Sequence, residues 1–202
     1  EVALGGGGGG GEGGSMFTRA DQDIAEDMDP DHRLALRAAL PLLKSRNAGV
    51  VLAVCGLHFY CGTRNRGTQQ TLGKAMVRIL RTNREVQYVV LRAVAMMSVE
   101  RPHMFQRFLP DFYVKSTDPG FVRELKLEVL TNLAHRDAVP TVLRELQTYV
   151  KHADKAFVCA VVRAVGRVAD AQPGVAETCL RGLRALCHAG PGPAALGEAA
   201  RV

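Results

Sequence analysis

Three places in this sequence carry residue types whose spacing could suit chemistry. The run Gly67-Thr68-Gln69-Gln70-Thr71-Leu72-Gly73-Lys74-Ala75 has the outline of a phosphate-binding loop, in which backbone N–H groups and a lysine cradle phosphoryl oxygens. It places five residues between its glycines where four are required, Ala75 replaces the metal-binding Ser or Thr, and no strand precedes it. It reads as no nucleotide site. His58 stands beside Phe59 and Tyr60 in an apolar run, where an imidazole can serve as base or ligand. No carboxylate or cysteine pair lies at helical spacing beside it, so it reads as a hydrogen-bonded inner histidine. Glu124 and Glu128 are one helical turn apart, but they share their stretch with Arg123 and Lys126 and read as solvated surface charges.

The five cysteines, Cys55, Cys61, Cys159, Cys179 and Cys187, contain no CxxC pair, and no histidine is placed to complete a zinc site. They read as buried free thiols of a reducing compartment. Aromatic residues make up only 5% of the chain and Trp is absent, so no base-stacking platform for nucleic acid is present. The expectation is no catalytic, cofactor-binding or metal-binding residue, no cofactor, no nucleic acid and no small-molecule substrate. The partner-binding residues remain unassigned at this level.

What the residues do specify is a repeat. Asn47, Asn83, Asp118 and Asp154 lie 36, 35 and 36 residues apart. Each follows an apolar–basic pair: Leu43-Lys44, Leu80-Arg81, Val114-Lys115 or Val150-Lys151. Three residues on come Val50, Val86, Phe121 and Phe157, and seven on come Val54, Val90, Leu125 and Val161. An Asn or Asp followed by apolar residues at those offsets predicts a capped amphipathic helix with one buried stripe. The ends of the preceding helices, at Leu80, Val114, Val150 and Leu186, recur at 34, 36 and 36. The fold class that follows is all-α: a HEAT/armadillo-like α-solenoid of antiparallel helix pairs with a period of about 36. First helices of the pairs are predicted near 31–44, 69–81, 103–113, 139–151 and 174–187, and second helices near 48–61, 84–98, 119–134 and 155–169. Asp29 should cap the first of them with Pro30 at its first position, and Pro41 should kink it or end it early. Val86, Val90, Phe121, Leu125, Phe157 and Val161 are expected in the core between repeats.

At 202 residues and 47% hydrophobic, the chain can bury a sizeable core. The expected organisation is a disordered Gly-rich and acidic head over 1–27, the solenoid over 28–188, and a low-complexity tail over 189–202. The lack of an initial Met and the abrupt end of the pattern after Leu186 suggest a fragment, and residues 1–15 lack the basic start and apolar centre of a secretory signal. No charge-free run reaches the roughly 20 residues of a membrane span. The net charge of +6 is unevenly spread: residues 1–27 hold six acids against Arg19 (−5), leaving +11 on the rest. Between residues 32 and 84 there are ten Lys or Arg and no acid, which suits an acidic partner or an anionic membrane surface.

The runs Met28-Asp29-Pro30-Asp31-His32-Arg33-Leu34, Val77-Arg78-Ile79-Leu80-Arg81-Thr82-Asn83-Arg84-Glu85-Val86-Gln87-Tyr88-Val89-Val90-Leu91 and Leu143-Arg144-Glu145-Leu146-Gln147-Thr148-Tyr149-Val150-Lys151 resemble the N-terminal trunk of the beta-3 adaptins, the beta subunits of adaptor-protein complex 3. The resemblance covers Met28 to about Cys187, and departs from the family pattern in the Gly/Arg/Asn/Gln-rich stretch 62–70. It implies a fragment of a scaffold subunit in a heterotetrameric vesicle coat that sorts membrane cargo from Golgi and endosomes toward lysosomes, and no enzyme. The implied partners are the other coat subunits, with the chain cytoplasmic and peripheral on membranes. A HEAT/armadillo scaffold of nuclear transport or signalling would show the same repeat physics and is the alternative.

Overall fold

The computed structural model describes residues 28–62, 64–82, 84–135, 137–189 and 197, without the side chains of 186–189. The head expected over 1–27 and most of the tail expected over 189–202 lie outside the described residues, as does Asn83. Among the described residues all regular structure is helical. The main helices are α1 (Pro30–Ala39), α2 (Ala48–Cys61), α3 (Arg66–Thr82), α4 (Gln87–Glu100), α5 (Gly120–Asn132), α6 (Val139–Tyr149), α7 (Lys155–Ala171) and α8 (Pro173–Ala189). Three short 3-10 segments, Leu40–Lys44, Pro102–Met104 and Gln106–Phe112, complete the first-helix positions of two pairs.

The start of α1 follows the expectation: Asp29 accepts the N–H groups of Asp31 and His32, and Pro30 fills the first position, where its missing N–H costs nothing. Pro41 then ends the α-helix, and the chain tightens into the 3-10 turn Leu40–Lys44. Residues 102–112 depart from the predicted helix. Pro102 and Pro110 leave too little room for an α-helical ladder between them, and Arg101 (φ −133°, ψ 63°) and Phe108 (φ −110°, ψ 16°) break the helical backbone. The segment holds its place through its side chains. Met104, Phe105, Leu109 and Phe112 are buried, with the rings of Phe105 and Phe112 edge to face at 6.2 Å.

The second helices stack on one another in the order α2, α4, α5, α7; α3 packs on both α2 and its own partner α4, α6 packs on α7, and α8 packs back on α7. Hydrogen bonds between residues about one period apart tie the stack. Val114 N donates to the Tyr149 hydroxyl (2.7 Å, 35 residues away), Asn132 Nδ2 to Ser98 Oγ (3.0 Å, 34 away) and to Ala95 O (3.1 Å, 37 away). The period seen in the residues is thus the period of the contacts. This is an α-solenoid of helix pairs.

Two of the expected caps hold. Asn47 Oδ1 accepts from Gly49 N and Val50 N, and Asp154 Oδ1 from Ala156 N and Phe157 N. Asp118 does not cap. Pro119 takes the cap position of α5 with no side-chain hydrogen bond, and the Asp118 carboxylate turns inward. Phe121 falls at the second position of this helix, in its first turn, with Val122 beside it buried. Phe121 is 56% exposed, against the expectation of burial, while Val90, Leu125, Phe157 and Val161 are buried and Val86 is half-buried against the core. Following Asn83, α4 starts only at Gln87, with Val86 as its uncapped first flanking residue.

Candidate binding surfaces

The residues that looked chemical become structural. Gly67–Ala75 lies inside α3, where Gly67 N and Thr68 N donate to Asn65 Oδ1 and the later N–H groups are taken by the helix ladder, so none is left to cradle a phosphate. Its second glycine has a packing reason: a Cβ on Gly73 would meet Met104 O at 2.2 Å, so α3 touches the backbone of Pro102–Met104 there. Gln69, also on α3, is buried and hydrogen-bonds His103 across the same contact. His58 is buried in α2, as expected of an inner histidine, with the Leu36 backbone as its hydrogen-bonding neighbour, but its Nε2 has no partner among the described residues. Burial lowers its pKa below the ordinary 6.5, and the Leu36 bond offsets this in part.

Glu124 and Glu128 are exposed on α5, where they face Arg163 and Arg167 of α7 across a shallow polar depression. Lys126, read with them as part of that surface, is 1% exposed and belongs to the core. Of the cysteines, Cys55 and Cys179 are buried free thiols, and burial pushes the Cys55 thiol up to about 12. Cys61 is exposed and Cys159 half-buried, so burial does not extend to these two; the Cys187 side chain lies outside the described residues. Among the described residues no group of three His, Cys, Asp or Glu gathers as a metal site.

A node that the sequence reading missed sits where α5 meets the preceding turn. Lys126 Nζ donates to Asp118 Oδ2 (2.6 Å) and to Tyr113 O (3.1 Å), and Lys115 N donates to the same carboxylate oxygen (2.8 Å). The charge pair therefore closes the loop between repeats from inside. Its only trace in the sequence is an acid eight residues before a lysine on a helix whose flanking positions are apolar.

The basic stretch 32–84 lines a cleft of about 500 Å³ between Leu40–Lys44, α3 and Phe108. Leu40, Leu43 and Val77 supply apolar surface there, and Lys44, Lys74, Arg78 and Arg81 the charge. Two of these cations have structural work. Arg78 donates to the carbonyls of Leu43, Lys44 (3.4 Å) and Ser45 (3.2 Å), satisfying the C-terminal end of the 3-10 turn one repeat back. Arg81 grips Asp111 with both nitrogens, at 2.6 and 2.8 Å. These two cations therefore hold repeats together.

Stacked helix pairs, with charge used for joints between repeats, define an α-solenoid of the helical-repeat class. The chain belongs to the adaptin family: residues 17–190 match the adaptin N-terminal region. It is 50% identical over 159 residues to the AP-3 complex subunit beta-1 of Mus musculus, covering 79% of this chain and 14% of that relative. It is 53% identical over 156 residues to the beta-2 subunit of Mus musculus, and 45% over 164 residues to the AP-3 beta subunit of Dictyostelium discoideum. These matches cover 77% and 81% of this chain, but only 14% and 15% of those relatives' own lengths. In fold, the chain matches a homology model of the full-length AP-3 complex in an intermediate open conformation, with a TM-score of 0.70 at 21% identity. That match covers 86% of this chain and 28% of the other.

Proposed function

We propose that this chain is a trunk segment of a coat-adaptor beta subunit, a non-enzymatic scaffold of intracellular protein transport whose partners are the other subunits of a heterotetrameric adaptor complex. The observation that carries this reading is the 45–53% identity to AP-3 beta subunits from mouse and Dictyostelium, spread over the whole solenoid. The architecture agrees, since its buried polar and charged groups, Lys126 and Asp118 above all, serve packing between repeats. The segment acts at the cytoplasmic side of Golgi and endosomal membranes, held peripherally; no helix among the described residues is long and apolar enough to cross a membrane. An anionic membrane is a second contact suited to the cations of 32–84.

The test is affinity purification of the tagged full-length protein that contains this chain. Recovery of three further coat subunits in fixed stoichiometry, with punctate cytoplasmic staining that overlaps Golgi or endosomal markers, is the expected result. Recovery of importin cargo or kinases in their place would support a nuclear-transport or signalling scaffold and end the adaptor reading.

A further inference from the structure

The outward faces of the second helices are not alike along the stack. On α7 the exposed positions include Lys155, Arg163, Arg167 and Asp170, as a solvated helix should show. On α2 there is no charged side chain at all, and its exposed residues include Leu57 and Tyr60, the latter 66% exposed. On α4 the exposed stripe at helical spacing runs Tyr88, Arg92, Met96 and Val99, with Val99 68% exposed. A helix apolar all round is the composition of one covered on both sides.

These stripes join into one surface. The Tyr60 hydroxyl donates to Met96 Sδ at 3.1 Å, linking α2 to α4. At the other end the rings of Tyr88 and Phe121 meet edge to face at 5.6 Å, linking α4 to α5. Tyr, Met and Arg, all present in this stripe, are the residue types enriched in protein interfaces. Arg92 lies midway along the stripe, exposed and without an ion-pair partner among the described residues.

We infer that this α2–α4 face is covered by another polypeptide subunit, one that presents an apolar helical surface with a carboxylate opposite Arg92. Charge complementarity sets the occupant. A guanidinium in the middle of a desolvated patch needs a carboxylate against it. A second copy docked about a two-fold axis on this stripe would bring Arg92 against its own counterpart. A membrane surface is disfavoured too, because exposed Glu85 and Glu100 stand at the two ends of the α4 stripe and α2 carries no Lys or Arg, where a lipid-binding face would carry them. The inference rests on the adaptor reading and names the face through which the subunit contact is made.

The experiment places a photocrosslinking benzoylphenylalanine at Tyr60 or at Val99 of the full-length chain in the purified complex, with Asp170 as the control position. Crosslinks from Tyr60 and Val99 to one different subunit, and none from Asp170, are expected. In parallel, Arg92→Glu should lower the yield of that subunit about tenfold or more in pull-downs, with Arg92→Lys much closer to the parent chain. Crosslinks to lipid, to a second copy or within the same chain, or no crosslinks at all, would overturn the inference, as would an Arg92→Glu chain that retains the subunit fully. Failure of the parent chain to assemble with any coat subunit would sink the adaptor reading itself, whereas intact assembly with an uncrosslinked α2–α4 face sinks only this one.

Discussion

Lys126 Nζ lies 2.6 Å from Asp118 Oδ2 in a site where both side chains are almost wholly shielded from water. Neither group faces a ligand. The pair pins the turn Tyr113–Asp118 onto α5, so the geometry of one joint in the stack depends on two buried charges and the backbone groups that complete them. In two other repeats the same joint uses a side-chain cap, Asn47 or Asp154. One sequence position thus serves two physical roles along the chain.

Breaking this pair from one side leaves a buried charge uncompensated. Asp118→Ala and Lys126→Ala are each expected to destabilise the fold by about 3–5 kcal/mol, well above the roughly 1 kcal/mol of a lost helix cap. Replacing both with apolar residues of similar volume, as in Asp118→Leu with Lys126→Met, should recover most of that loss. Urea unfolding of these three variants beside the parent chain measures the difference. A single variant near the cap value would show that water reaches the site.

Gly73→Ala is expected to destabilise by about 1–3 kcal/mol, because its Cβ would strike the Met104 carbonyl and that neighbour is backbone, unable to rotate away. Helix propensity alone points the other way, toward a gain of up to about 1 kcal/mol. Gly56→Ala on α2 is the matched control: a Cβ there meets nothing within 4 Å, so it should stabilise slightly. Thermal melts of the two substitutions should therefore move in opposite directions.

The solenoid was legible in the residues because its period is written twice, in helix starts and in helix ends, and hydrophobic spacing reports burial directly. The boundaries of α2 and the caps Asn47 and Asp154 follow from local chemistry alone. What failed was the assumption that like spacing means like role. Asp118 keeps the period, but α5 starts one residue later with Pro119 in extended backbone (ψ 157°) at the cap position, and the carboxylate finds Lys126 inside. The twin prolines at 102 and 110 likewise override an apolar pattern that suits a helix. The outward apolar face of α2 and α4 stayed hidden because sequence reading assigns apolar residues to the core, and only the arrangement of the helices shows which stripe is left over.

Phe157 and Phe121 hold equivalent places in the sequence pattern but opposite places in the fold. Phe157 is buried against Tyr149, His152 and the Arg123 guanidinium, so Phe157→Ala should cost about 3–5 kcal/mol. Phe121→Ala removes an exposed ring whose one ring contact is Tyr88, and should cost under about 1 kcal/mol. Equal losses in denaturant unfolding would mean that Phe121 is covered after all.

His58 gives the fold a pH dependence of predictable sign. Its pKa in the folded chain lies below the ordinary 6.5 because burial disfavours the imidazolium, so the unfolded chain takes up a proton that the folded one refuses. The contribution of His58 is therefore fully present above about pH 6.5 and is lost progressively as the pH falls toward its folded pKa. His103 is shifted in the same direction by burial and by Arg66 and Arg101, so both histidines act in the same acidic window. His58→Val, which installs the residue type found at the equivalent place as Val94, Val129 and Val165, separates the two. Unfolding free energies between pH 5 and pH 7.5 should fall less steeply on acidification in that variant than in the parent chain. An unchanged slope would place the whole acid sensitivity on His103 and the carboxylates, and would mean that His58 is solvated enough to charge in the folded state.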